Sequence, residues 1–243
     1  METKKPALFT CLSPALLHLY DLSSSTVVII DVFRATSTIV TALYNGAKSV
    51  IPVDSVSDCI RLGKQIDSIT AGERDGQVAE GLAYGNSPFE YPKEFIEGKT
   101  LVLTTTNGTK LLQMALNNNA HSIIAGSFAN LSAVCDFLVA QKKPVVLGCA
   151  AWKDKVNIED SLFAGAVINR IKSHFSITCD SSLIAESLYL EASPDLYQYV
   201  KDKNISHYQR LSSFGLEKDI AYCLTEDQAN VLVVYEEGKL VAR

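Results

Sequence analysis

Five apolar runs rich in β-branched residues recur along this 243-residue chain: TVVIIDV, KSVIPV, KTLVLTT, HSIIAGS and PVVLGCA. A strand with one wet face alternates apolar and polar residues, whereas these runs are continuous, so each strand is expected to be buried on both faces. Each run also leads into a segment of helical periodicity. Doubly buried strands alternating with helices call for an α/β fold on a largely parallel sheet, and the 47% apolar content can fill its core.

The helices are legible one by one. After Val32, RATSTIVTALYNG sets Ile39, Val40, Leu43 and Tyr44 on one helical face and stops at Gly46. The same logic predicts helices near 55–67, 107–117, 129–140 and 158–174. Between 72 and 99, Gly72, Gly76, Gly81, Gly85, Pro88, Pro92 and Gly98 break any regular element, which predicts a long loop region of the kind that carries function or is disordered. From about 176 the pattern turns helical and polar, then ends in NVLVVYEEGKLVAR, a small antiparallel hairpin turning at EEG. The expectation is a single α/β domain over 1–243, with a possible subdivision near 175 and a C-terminal α+β portion carrying the hairpin.

Composition excludes several classes of function. A net charge of -5 without a long Lys/Arg run argues against a nucleic-acid partner. No apolar stretch reaches the roughly 18 residues of a membrane span. METKKPALFTCLSP carries no leader pattern, so a cytoplasmic location is expected. Cys11, Cys59, Cys135, Cys149, Cys179 and Cys223 are scattered without a C-x-x-C pair, the usage of reduced core cysteines. The apolar surplus is compatible with a homodimer.

In a parallel sheet ligands bind beyond the carboxyl ends of the strands, beside the N-H groups of the following helices. The ends to inspect read DVFRATST, AGERDG, TTTNGT and, after Cys149, through Trp152 to NIED. Each alone reads equally as a turn or a helix cap. Together they assemble one kind of chemistry. Arg34 and Arg74 are planar donors matched to phosphate or carboxylate, and Lys153 adds a point charge. Thr104, Thr105, Thr106 and Asn107, entering a helix through Gly108, resemble a phosphate cradle, and Thr36 and Ser37 offer hydroxyls at the first corner. Asp31, Glu73, Asp75, Glu159 and Asp160 form an all-oxygen set suited to magnesium rather than zinc. Anion donors beside such a set imply phosphoryl chemistry.

Familiar phosphatase patterns do not fit. The sixth residue after Cys149 is Lys155 rather than arginine, and the second after Asp31 is Phe33 rather than aspartate. Neither G-x-G-x-x-G nor a Walker A sequence occurs. His18, His121, His174 and His207 lie outside every cluster and are expected to be structural.

VIIDVFRATSTIVTAL, GERDG, GNSP, TTTNGT and CAAWKDKVNIEDSLFAGA, in this order over about 25–170, closely resemble the 2-phosphosulfolactate phosphatase family, with DIAYCL at 219–224 as a looser echo. The resemblance implies a three-layer α/β sandwich and a magnesium-dependent hydrolysis of 2-phosphosulfolactate to 3-sulfolactate and phosphate, a step of coenzyme M biosynthesis, or of a closely similar small phosphorylated acid. The expected catalytic residues are Asp31, Arg34 and Glu73, with Asp31 or Cys149 as candidate nucleophile and a carboxylate-oriented water as the alternative. Substrate is expected on Arg34, Thr36, Ser37, Arg74, Asn86, Thr105, Thr106, Asn107, Gly108 and Lys153, and magnesium on some of the five acids. Replacing Arg34 by Ala is expected to lower turnover by orders of magnitude while leaving the melting temperature near that of the wild type. A non-catalytic sensor of a phosphorylated or sulfonated acid is the alternative; it would need the arginines but not the carboxylates.

Overall fold

In a computed structural model, which describes residues 5–243, the apolar runs become strands of one ten-stranded sheet. Met1 to Lys4, the start of the segment read above for a leader, lie outside the described residues. The elements follow in the order β1 (Leu8–Cys11), β2 (Thr26–Ile30), α1 (Ala35–Tyr44), β3 (Ser49–Pro52), α2 (Val56–Ile66), β4 (Ile69–Arg74) and β5 (Gln77–Val78). Next come α3 (Lys93–Ile96), β6 (Thr100–Thr104), α4 (Gly108–Asn117), β7 (Ser122–Gly126), α5 (Leu131–Gln141), β8 (Val145–Cys149) and α6 (Ile158–Ile171). Four further helices, α7 (Asp180–Ala192), α8 (Leu196–Asp202), α9 (Ser206–Ser212) and α10 (Glu217–Cys223), precede β9 (Val233–Glu236) and β10 (Lys239–Ala242).

The strand order is β1-β8-β2-β7-β9-β10-β3-β6-β4-β5. Pairing is parallel throughout β1-β8-β2-β7 and β3-β6-β4, and antiparallel where β9, β10 and β5 enter. The C-terminal hairpin therefore sits between two parallel halves rather than at the periphery. Its two-residue loop, Glu237 and Gly238, has positive φ at both positions, matching the twist of a tight hairpin.

Continuous apolarity is explained by the core. In β2, Val28 and Ile30 join the cluster under α5, α6 and α7, while Val27 and Ile29 face the opposite way onto α4. Strand β8 divides likewise, Val145 and Leu147 on one face and Val146 on the other. A third cluster packs Ile39, Val40 and Leu43 of α1 on β3, β4, β6 and β10. The result is a three-layer α/β sandwich. Its sheet curls: Ile29, Ala125, Leu240 and Leu103, from four different strands, line one apolar cavity with α1 and α4. That curl brings the end of β2 towards those of the paired strands β6 and β4, although β2 neighbours neither in the sheet.

The breaker-rich stretch 72–99 is ordered by its own polar contacts. Glu90 accepts from the backbone N-H of Gly85 and Ser87, and the hydroxyl of buried Tyr91 donates to the Gly85 carbonyl. The four-residue β1 and the two-residue β5 are not among the apolar runs, whereas β4, whose AGERDG end is one of the strand ends singled out above, spans six residues. Among the described residues no helix is long and apolar enough to cross a membrane.

Candidate active site

Chain direction puts the ends of β2, β4, β6 and β8 at one edge of the sheet, and the polar residues that follow them close a cleft of about 300 Å³ including its mouth. Asp31, Arg34, Glu73, Asn86, Asn107, Trp152 and His207 line it. Asp31 follows the last residue of β2. Its carboxylate makes no side-chain hydrogen bond among the described residues, and burial, helped by the nearby Glu73 and Glu159 and opposed by His207, pushes it up to about 7. The start of α4 comes against it: a Cβ on Gly108 would stand 3.0 Å from Asp31 Oδ2, so glycine lets the first-turn N-H groups of that helix approach the acid.

The hydroxyls of the first corner are spent within it. Thr36 Oγ1 donates to the Asp31 carbonyl at 2.9 Å, Ser37 Oγ to the Val32 carbonyl at 2.9 Å, and Thr38 Oγ1 to the Asn86 carbonyl at 2.9 Å. They hold the turn from strand to helix, so the Thr36 and Ser37 hydroxyls expected on substrate donate within the chain. Thr105 is similarly engaged with Thr109 of α4. The Thr106 N-H donates to Glu73 Oε1 at 2.8 Å, and the Gly76 N-H to Glu73 Oε2 at 2.9 Å, so Glu73 ties the ends of β4 and β6 together. Among the described residues, the Thr106 hydroxyl and Asn86 Oδ1 are buried without a partner.

The expected cations are also committed. Arg34 Nη1 donates to Asp219 Oδ2 of α10 at 2.5 Å and Nη2 to the Gly76 carbonyl at 3.1 Å, both side chains of the ion pair being buried. Arg74 donates to the Glu73 carbonyl and to Thr104 Oγ1. Lys153 lies exposed, its Nζ 3.3 Å from Asp75 Oδ1, while its backbone N-H donates to Asn107 Oδ1.

The five acids separate into different roles. Asp31 and Glu73 line the cleft. Asp160, at the start of α6, accepts from the Val32 N-H at 2.9 Å and the Ala151 N-H at 3.1 Å, and burial holds its carboxyl well above the ordinary range. It buttresses the loops after β2 and β8 instead of facing the cleft. Asp75 points to solvent with Lys153. Glu159 is buried and meets Nδ1 of His207 at 2.5 Å. Among the described residues no three His, Cys, Asp or Glu side chains converge to enclose an ion. Magnesium, however, commonly keeps several waters and takes one or two carboxylates plus phosphate oxygens, and Asp31 with Glu73 fits that demand. The charge chemistry agrees, because the nearby Glu73 and Glu159 carboxylates help to keep the Asp31 proton on. Cys149 is buried outside the cleft lining, and burial, with the charge of Asp160, raises its thiol well above its usual range, which removes it as a thiolate nucleophile.

Sequence reasoning missed two residues, both from the C-terminal helices. His207 of α9 lines the cleft, edge-on to Phe33 with 5.5 Å between ring centroids and beside Trp152 at 5.9 Å. The expectation that every histidine lies outside the clusters is therefore wrong for His207: α9 folds back over the strand ends and its imidazole caps Glu159. Asp219, the partner of Arg34, begins the DIAYCL echo, which was the available signal for it.

A layered α/β fold with a carboxylate-lined cleft at parallel strand ends, beside a helix N-terminus, defines an enzyme for a small anionic substrate. The comparisons give the family. A family model described as 2-phosphosulpholactate phosphatase matches residues 11–238, and the chain belongs to that family of phosphoric monoester hydrolases. It is 46% identical over 218 residues to a protein of Thermotoga petrophila named "Probable 2-phosphosulfolactate phosphatase", covering 90% of this chain and 92% of that one. Proteins of the same name from Thermotoga maritima and Caldanaerobacter subterraneus are 44% and 40% identical, each over 90% of this chain and over 92% and 90% of their own lengths.

Proposed function

We propose that this protein hydrolyses 2-phosphosulfolactate, or a small phosphorylated acid closely like it, to 3-sulfolactate and phosphate with magnesium. The observation that carries this reading is Asp31: a buried carboxyl without a side-chain partner among the described residues, facing the start of α4 in a cleft. The relatives' name supplies the substrate. Bound at Asp31 and Glu73, magnesium would supply charge neutralisation for the phosphate oxygens. The rest falls to the chain. First-turn N-H groups of α4 receive phosphate oxygens in the manner of helix N-termini. The Arg34 guanidinium, fixed by Asp219 and Gly76, contributes a positive field at the cleft wall that needs no reorganisation as charge develops. Glu159 occupies Nδ1 of His207, leaving Nε2 as the ring nitrogen for the bridging oxygen of the ester. Trp152 and Phe33 narrow the mouth around His207 and limit water.

Phosphate release from 2-phosphosulfolactate by the purified chain, with magnesium and then with EDTA, tests the proposal. Magnesium-dependent turnover is expected. Saturable binding without phosphate release would sink it and leave a sensor of the same ligand.

A further inference from the structure

The cations expected to bind substrate are each engaged within the chain: Arg34 with Asp219 and Gly76, Arg74 with Glu73 and Thr104, Lys153 with Asp75. Arg210 is not. It follows His207 by three residues on α9, so one helical turn presents the imidazole and the guanidinium side by side. Its Cζ lies 3.6 Å from the ring centroid of Trp152, a cleft residue, so the indole covers one face of the guanidinium. Its Nε and Nη2 are shut away from solvent and have no hydrogen-bond partner among the described residues. Those two nitrogens form one edge of the guanidinium, the edge that bridges two oxygens of one anion side-on. Burial lowers the Arg210 pKa, while Glu159, Glu73 and Asp75 act on it through space and favour its charge. A half-buried cation with a buried, unspent bidentate edge is poised for an oxyanion that the described residues do not provide.

We propose that Arg210, stacked on Trp152, is the subsite for the acid group on the substrate's third carbon, a sulfonate or a carboxylate in its place, and that its Nε/Nη2 edge sets the preference for a ligand carrying that oxyanion besides its C1 carboxylate. This rests on the reading of the cleft given above, and it adds the residue that selects among phosphorylated acids. Sulfonate and carboxylate share the required chemistry, two oxygens for one planar edge. Lysine cannot replace it, since an ammonium offers no fork.

Titration calorimetry on the full chain tests this with 3-sulfolactate, malate and lactate, which carry a sulfonate, a carboxylate and no second acid group respectively. In the wild type 3-sulfolactate binds more tightly than lactate. Arg210→Met keeps length and contact with Trp152 but removes the fork; it weakens 3-sulfolactate by at least about tenfold, the loss expected for a charge-assisted hydrogen bond, and leaves lactate within about threefold. Malate weakened in parallel assigns the edge to either oxyanion, and malate unaffected assigns it to sulfonate. Arg210→Lys recovers only part of the affinity, and serves as the folded comparison if the Met variant melts early. In turnover, the loss appears in KM with kcat within about threefold. Equal weakening of 3-sulfolactate and lactate, no weakening of either, or a wild type that does not distinguish them overturns the subsite. Phosphate release reports separately on the reaction: tight 3-sulfolactate binding through Arg210 without hydrolysis keeps the subsite and sinks the phosphatase reading.

Discussion

At the corner after β2, five polar or charged residues within eight positions resolve into distinct uses: Thr36, Ser37 and Thr38 donate to carbonyls, Arg34 pairs with Asp219, and only Asp31 keeps its carboxylate uncommitted to side chains. Its position has a thermodynamic signature. Burial first, then Glu73 and Glu159, raise the carboxyl from 3.8 to about 7, so the metal-free folded state holds this proton more tightly than the unfolded chain does. The group therefore costs nothing at pH below 3.8, costs progressively more stability as pH rises towards about 7, and costs a constant amount above. Asp31→Asn removes the charge while keeping the shape. Thermal melts in EDTA should show the variant above wild type at pH 8 and level with it near pH 4; an equal gap at both would refute the assignment. Adding magnesium at pH 8 should raise the wild-type melting temperature and leave that of the variant unmoved. Phosphate release should fall by about two to four orders of magnitude in the same variant, so stability and activity move in opposite directions.

Elements are joined across the molecule by contacts with no local signature. The Arg34–Asp219 pair fastens the start of α1 to α10, and its burial changes what an Arg34 substitution does. Arg34→Ala leaves Asp219 buried and unpaired, which should cost about 3–5 kcal/mol, or roughly 2–4 °C in melting temperature per kcal/mol for a chain of this size. The expectation of an unchanged melting temperature thus gives way to a large fall, and Asp219→Ala should fall comparably. Replacing both by apolar residues should recover much of the loss, and melts of the two singles and the double would show it; additive losses would mean the pair is not coupled. Between α6 and α7 the contact is closer still, because a Cβ on Gly165 would lie 2.0 Å from the Ala185 carbonyl oxygen. Gly165→Ala must push α7 away at a cost of at least about 1–3 kcal/mol, measurable by urea unfolding. Helices whose apolar faces repeat every three to four residues, such as α2, α4 and α5, were legible because that information is local. The cleft acids at strand ends were legible because chain direction alone places them. His207 and Arg210 were not: they come from a polar helical segment, and only the folding of α9 over Glu159 and Trp152 makes them part of the site.

For the molecule as a whole, the C-terminal hairpin decides whether there is one sheet or two. Read from sequence it is a small appendage, and its two strands and tight turn form as its residues indicate. Its place in the strand order is set by what the rest of the chain leaves open. Strand β7 pairs with β9 through Ile124–Val234 and Ala125–Val233, and β3 meets β10 at Val50–Leu240. Without the hairpin, both halves of the sheet would end in unpaired edges flanked by buried apolar residues, the arrangement that proteins cover or charge to avoid aggregation. The side chain of Leu240, 4% exposed, also lines the apolar cavity behind the cleft with Ile29 and Leu103, so the hairpin fixes the curl that draws the ends of β2 and β6 together. Removing residues 231–243 should therefore abolish cooperative melting and expose dye-binding apolar surface, although no cleft residue is deleted. Leu240→Ala is the milder form: it should cost about 2–5 kcal/mol and lower phosphate release through geometry. In native-state hydrogen exchange the paired amides of β9 and β10 should exchange only through global unfolding, despite lying within the last residues of the chain. A truncated protein that still melts cooperatively, or hairpin amides that exchange like a frayed terminus, would show that the two parallel halves hold together by themselves. Because the β3–β10 pairing joins residues far apart along the chain, closing the sheet is a non-local step, which should make refolding slower than for a chain of local contacts.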